Sequence, residues 1–130
     1  MPQPVCAIIG AGEGLGKALA TKFANNGFGI AVVSRSWAGS VAALSAAGAI
    51  TTNVKFFEAD AKEPETIEDA LAQVAATMGE IHVLIYNCRD QFTACAPLDM
   101  TYDALNQIFS VEVTGAFAAA KSVLPAMIKR

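Results

Sequence analysis

Five consecutive apolar residues, Val5-Cys6-Ala7-Ile8-Ile9, run straight into the glycine cluster Gly10-Ala11-Gly12-Glu13-Gly14-Leu15-Gly16. A short, wholly apolar run reads as a strand buried on both faces, the kind found inside a parallel sheet. After the glycines, Leu15, Ala18, Leu19 and Phe23 recur at helical spacing. Asn26-Gly27 stops that helix, with Gly27 suited to the left-handed position after its end. The same unit then repeats. Phe28–Val33 reads as a second buried strand, closed by Ser34-Arg35-Ser36, and Val41, Leu44 and Ser45 sit in an alanine-rich second helix ended by Gly48. Val54–Phe57 reads as a third strand with Glu58 and Asp60 at its exit. A third helix opens at Glu63-Pro64-Glu65, where acids suit the first turn and a proline's missing N–H does no harm. Its apolar face is Ile67, Ala70, Leu71, Val74, Ala75 and Met78, and Gly79 ends it. Ile81–Tyr86 is the fourth strand, Asn87–Pro97 a loop, and Thr101–Ile128 a long helical stretch with a kink expected near Gly115 and Pro125 near its end.

Strands alternating with helices predict an α/β chain: a three-layer α/β/α arrangement around a parallel sheet. Right-handed crossovers leave few topologies, and the Rossmann-like strand order 3-2-1-4 is the natural one. The chain has 130 residues, enough for one core, so residues 1–130 are read as a single domain. A hydrophobic fraction of 54% excludes disorder. The net charge of −3, with no basic block, argues against a nucleic-acid partner. No unbroken apolar run approaches the roughly 18–20 residues of a membrane span, so no membrane partner is expected. Met1-Pro2-Gln3-Pro4 lacks the basic and apolar regions of a signal peptide. Cys6, Cys88 and Cys95 lack zinc spacing, no metal site is expected, and reduced thiols in a cytoplasmic protein are the plain reading.

The glycine turn lies where a parallel α/β fold holds a phosphate against a helix N-terminus. A Walker loop fails, because Ala11 stands five residues before Gly16 and Ala18 replaces the magnesium-binding hydroxyl. G-x-G-x-x-G fails too, since the sixth residue is Leu15 counting from Gly10 and Lys17 counting from Gly12. G-x-x-x-G-x-G fits at Gly10, Gly14 and Gly16. In that spacing the chain resembles the short-chain dehydrogenase/reductase family, over the N-terminal half of a typical member.

The resemblance implies a dinucleotide cofactor held by Gly10, Gly12, Glu13, Gly14, Leu15 and Gly16. A dinucleotide site usually places a carboxylate about 20 residues past the glycines, for the ribose 2′-OH. No Asp or Glu occurs between Glu13 and Glu58; Ser34, Arg35 and Ser36 stand at the second strand's exit instead. A guanidinium flanked by hydroxyls suits a 2′-phosphate, so NADP(H) is expected to be preferred over NAD(H). Asp60-Ala61 matches the family's acidic residue beside the adenine. Tyr86-Asn87-Cys88-Arg89 stands where the family has Asn-Asn-Ala-Gly, which makes Asn87 and Cys88 the corresponding cofactor positions. Glu112-Val113-Thr114-Gly115 stands where the family has Asn-Val-x-Gly, so a Glu replaces the relay Asn. The family's later strands, its catalytic Ser and its Tyr-x-x-x-Lys pair are absent. Tyr86 and Tyr102 are the only tyrosines, and neither has a lysine four residues on. No catalytic residue is therefore assigned.

The full family activity would pass hydride between nicotinamide and a small-molecule carbonyl or alcohol. A non-catalytic nucleotide-binding or interaction module is the alternative. His82 reads as structural, Trp37 as a packing residue or an adenine cover, and Cys88 and Cys95 as bystander thiols or a redox pair. The fourth strand should lie at a sheet edge and the long helix carries surplus apolar residues, so a homo-oligomer is expected.

Overall fold

The computed structural model of the chain describes residues 2–91 and 93–130. Met1, in the N-terminal segment, and Phe92, in the expected loop, lie outside the described residues. Strand β1 (Val5–Ile9) leads through the glycine turn to helix α1 (Leu15–Asn25). Strand β2 (Gly29–Ser34) and helix α2 (Trp37–Gly48) follow, then strand β3 (Val54–Glu58), helix α3 (Pro64–Met78) and strand β4 (Ile81–Tyr86). A 3₁₀ turn (Pro97–Asp99) precedes helix α4 (Tyr102–Phe109), a π-helical turn (Ser110–Thr114) and helix α5 (Gly115–Lys129).

The sheet is parallel, in the expected order β3-β2-β1-β4. It is the Rossmann-like α/β fold that the alternating pattern predicts. The register matters for function. Ile9 pairs with Val33 on one side and with Tyr86 on the other, and Ser34 pairs with Glu58. The carboxyl ends of all four strands therefore finish level, and the segments leaving them meet on one rim.

Alternate residues of the strands feed two cores. Val5, Ala7, Ile9, Ala31 and Val33 pack with Ile67, Leu71 and Val74 of α3 and Ala119 and Val123 of α5. Cys6, Ile8, Ile30 and Val32 pack with Ala20 and Ala24 of α1 and Ala43, Leu44 and Ala47 of α2. The expected faces of α1 and α2 need correction. The residues of α1 nearest the sheet are Gly16, Ala20 and Ala24; Leu19 and Phe23 are half-buried, and Leu15 is 62% exposed. Val41 of α2 is exposed as well. Mostly small residues line both helices where they meet the branched strand side chains, with Leu44 of α2 the large exception, so Leu15, Leu19, Phe23 and Val41 are displaced to the flanks. The face of α3 holds as expected, apart from Ala75, which is exposed.

The long helical stretch is one rod of 28 residues, Tyr102–Lys129. Its length and composition would suit a membrane span, but Ala119 and Val123 of its inner face belong to the core against the sheet. The expected kink at Gly115 is replaced by the π-turn just before it, and Gly115 itself is helical. A side chain entering the hydrogen-bond ladder explains the irregularity: the Tyr86 hydroxyl donates to the Val111 carbonyl.

Candidate functional site

The first wall of the site is the turn after β1. Gly10 has φ +86°, and its N–H donates to the Val33 carbonyl at 2.9 Å. A Cβ on Gly10 would lie 2.7 Å from the Asn87 carbonyl oxygen and 2.9 Å from Cys88 Sγ, so backbone conformation and crowding both require glycine. Gly16 has no room for a Cβ against the Ala11 backbone, which lets α1 dock close under the turn. Gly12 and Gly14 differ, with nothing within 4 Å of the place a Cβ would occupy. Helix α1 has no side-chain cap and no acid in its first turn. Its free N–H groups and partial positive charge thus remain available to an anion at the open side of the glycines.

The second wall is the exit of β2. Ser34 Oγ donates to the Ser36 carbonyl at 2.9 Å and shares a 2.7 Å hydrogen bond with Ser40 Oγ, while Ser36 Oγ caps α2 by accepting from Gly39 N–H. The two hydroxyls expected to face a phosphate are thus engaged in shaping the turn. Arg35 between them is exposed and, among the described residues, forms no ion pair. The neighbouring exit of β3 is held in the same manner. Ala59 N–H donates to the Ser34 carbonyl at 3.0 Å, Asp60 N–H donates to Thr66 Oγ1 at 2.9 Å, and Asp60 Oδ1 accepts from Lys62 N–H at 2.9 Å.

The third wall follows β4. Asn87 N–H donates to the Ile9 carbonyl at 2.8 Å, and its Nδ2 donates to the Gly10 carbonyl at 3.0 Å. Asn87 therefore staples the glycine turn to the end of β4. Burial pushes the Cys88 thiol above its ordinary range, although the Tyr86 hydroxyl and the Arg35 charge act in the opposite sense. Burial likewise raises Tyr86, assisted by Cys88 and the Glu112 carboxylate.

These walls enclose an open cleft of about 730 Å³ at the carboxyl ends of the strands. Of the residues singled out from sequence, Gly10, Gly12, Ser34, Arg35, Ser36, Asp60, Ala61, Asn87 and Cys88 line it, as does Cys95. Glu13, Gly14, Leu15 and Gly16 sit in the adjoining turn, outside the lining. Trp37 packs edge-on against Phe56, with ring centroids 5.7 Å apart, and is absent from the cleft. His82 Nδ1 pairs with the Glu80 carbonyl at 2.9 Å, a local structural role. Sequence reasoning overlooked Ser40 and Thr66, which fix the two polar turns. Their positions within the first turns of α2 and α3, following serine and aspartate at strand exits, are the only signal they gave.

The donor set suits a dinucleotide. The bare face of Gly12 in the cleft, with the open side of Gly14 in the adjoining turn, leaves space for a pyrophosphate; Arg35 offers a guanidinium at the second strand, and Asp60 offers a carboxylate at the third. The comparisons with known proteins agree. The sequence model described as short chain dehydrogenase matches residues 4–130. The chain is 30% identical over 127 residues to the cis-1,2-dihydrobenzene-1,2-diol dehydrogenase of Pseudomonas putida, covering 95% of this chain and 45% of that protein. It is 27% identical over 129 residues to the 3-oxoacyl-[acyl-carrier-protein] reductase FabG of Escherichia coli, covering 97% and 50%. The fold superposes on a short-chain type dehydrogenase/reductase from Mycobacterium marinum with a TM-score of 0.86 at 24% identity, covering 98% of this chain and 51% of that one. It also superposes on a variant of ElxO with NADPH bound, at a TM-score of 0.85 and 19% identity, covering 98% and 51%. The chain spans about half the length of the curated relatives it matches. With the glycine spacing, the strand order and the cleft at the strand ends all in agreement, the chain belongs to the short-chain dehydrogenase/reductase family.

Proposed function

We propose that residues 1–130 form a single NADP(H)-binding domain of an oxidoreductase that passes hydride between nicotinamide and a small-molecule carbonyl or alcohol. The observation that carries the cofactor choice is Arg35, lining the cleft beside β2 with no ion-pair partner among the described residues. No carboxylate between Glu13 and Glu58 is present to select a free ribose hydroxyl. Arg35 would take the 2′-phosphate as a bidentate partner. Gly10, Gly12, Gly14 and Gly16, with Glu13 and Leu15, would shape the turn against the pyrophosphate. Ser34 and Ser36 would hold Arg35 in place, and Asp60, Ala61, Asn87 and Cys88 would line the remaining contacts. Bound there, the cofactor would supply the hydride donor or acceptor. No residue of this chain is proposed as catalytic.

The chain is further proposed to self-associate in the cytoplasm. Leu105, Phe109, Val113, Phe117, Leu124 and Ile128 form an exposed apolar stripe along the long helix, which favours a second copy as cover. Cys6, Cys88 and Cys95 as free thiols suit a reducing compartment.

Fluorescence titration of the chain with NADPH and NADH tests the cofactor reading. NADPH should bind more tightly, and Arg35→Ala should weaken NADPH about 10- to 100-fold, the worth of a charged hydrogen-bonding contact, while leaving NADH unchanged. Equal affinities in the wild type would remove the NADP(H) reading.

A further inference from the structure

Two of the departures from the family's sequence pattern, Tyr86 and Glu112, each in place of Asn, reach into each other's segments. The Tyr86 hydroxyl donates to the carbonyl of Val111, the residue beside Glu112, inside the π-turn. Glu112 Oε1 in turn accepts from Asp90 N–H at 3.3 Å, in the loop that follows Tyr86. The Tyr86 hydroxyl sits in a fitted seat: a Cβ on Gly115 would collide with it and would lie 3.1 Å from the Ala61 carbonyl oxygen. The turn has a third attachment, where Ser110 Oγ donates to the Lys62 carbonyl at 3.3 Å. One helical turn is therefore fastened to both polypeptide segments that face the glycine wall.

We infer that Tyr86 and Glu112 are positioning residues acting as one clasp, which holds the Asn87–Asp90 segment in the place the cofactor requires. This rests on the NADP(H) reading for its purpose, but the clasp itself is a property of the chain without ligand. The physical case is one of constraint. From Arg89 to Ala96 the described residues form no regular structure, and Arg89 and Asp90 line the cleft. A loop of that kind is ordered only by the contacts made at its ends. Asn87 fixes one side, through Gly10, and the clasp fixes the other. Tyrosine reaches the π-turn from the end of β4, where a shorter amide would stop well before it. A carboxylate, an acceptor at both oxygens, suits the N–H it meets. The two side chains fasten the same pair of segments from opposite sides, Tyr86 to the backbone of the π-turn and Glu112 to the backbone of the loop.

Hydrogen–deuterium exchange on the full chain, with NADPH affinity measured in parallel, separates the possibilities. Tyr86→Phe and Glu112→Ala should each speed exchange in the peptides covering 87–91 and 110–114 at least several-fold. Core amides of β1 and β2 should stay as protected as in the wild type. Both variants should weaken NADPH about 5- to 10-fold, the scale of one lost hydrogen bond at a site. Glu112→Gln keeps an acceptor oxygen and should restore slow exchange at Asp90, which a purely structural loss would not do. Unchanged exchange at 87–91, or a uniform rise that includes β1 and β2, overturns the clasp. If the wild type binds no NADPH, the nucleotide reading fails while the exchange data still decide whether the clasp exists.

Discussion

The two sides of the cleft are built on different terms. The side formed by β1, β2 and the glycine turn is made of backbone: every residue from Val5 to Ile9 and from Gly29 to Val33 is buried, and glycines set the approach distances. The side formed by β4 and the long helix is made of side chains, with β4 mostly half-buried and Tyr86, Asn87 and Glu112 supplying the fastenings. A backbone-built wall tolerates few residue types, whereas a side-chain wall can be rebuilt with different groups. The family pattern is kept at Gly10, Gly14 and Gly16 in the first wall, while in the second wall Asn87, Val113 and Gly115 match it and Tyr86, Cys88, Arg89 and Glu112 do not.

The sharpest way to break this comparison is at Gly10, where both walls touch. Gly10→Val combines a positive φ with a Cβ 2.7 Å from the Asn87 carbonyl oxygen. It should cost about 3 kcal/mol or more, from backbone strain plus overpacking. Urea denaturation followed by circular dichroism would measure it, and a loss under about 1 kcal/mol would show that the walls can slide apart.

Gly14→Val should do the reverse. Nothing lies within 4 Å of its Cβ position, so the added side chain meets no crowding and should cost much less stability than Gly10→Val. NADPH affinity should nonetheless fall below detection, because the side chain would occupy space assigned to the pyrophosphate. Wild-type affinity in this variant would leave the first wall without a phosphate role.

A smaller effect should appear at alkaline pH. Burial pushes the Cys6 thiol of β1 up to about 12 from an ordinary 9.0, so the folded chain keeps a proton that the unfolded chain releases. The stability so contributed is complete below pH 9 and declines as pH rises from 9 towards 12. Replacing Cys6 by Val should flatten that alkaline decline in the unfolding free energy.

The smallest expected effect is kinetic and compares the walls directly. With a disulfide reagent at pH 8, exposed Cys95 should react first and half-buried Cys88, its thiol raised, much more slowly. Cys6 should react only on unfolding. Equal rates at Cys88 and Cys95 would mean the second wall opens freely.

The sequence made the sheet legible because β1 and β2 are almost wholly apolar, β3 and β4 each keep a short apolar run, and glycines mark several of the turns. Strand order followed from right-handed crossovers, and the C-terminal glycine of α1 was readable from Asn26-Gly27, where φ at Gly27 is +85°. The cleft residues contributed by backbone turns were equally visible. Three features were hidden, each for a physical reason. The inner face of α1 is marked by Gly16, Ala20 and Ala24, residues too small to register as hydrophobic periodicity. The hydroxyls of Ser34 and Ser36 resemble ligand groups in the sequence, and only three-dimensional hydrogen bonding shows them turned inward on the chain. The π-turn leaves no local composition signal, because its cause, Tyr86, lies 25 residues away.

That turn also fixes the phase of everything after it. An α-helix advances about 100° per residue, so the one additional residue a π-turn accommodates rotates the downstream helix by about that angle relative to a regular one. Ala119 and Val123 pack in the core against the sheet with that rotation in place. Deleting a single residue between Ser110 and Thr114 would restore a regular ladder and swing those small side chains aside, bringing bulkier neighbours such as Phe117 and Leu124 round toward β4. Length in this segment is therefore as tightly specified as residue type is in the glycine turn, and a one-residue gap here would be a change of helical face rather than a neutral trim.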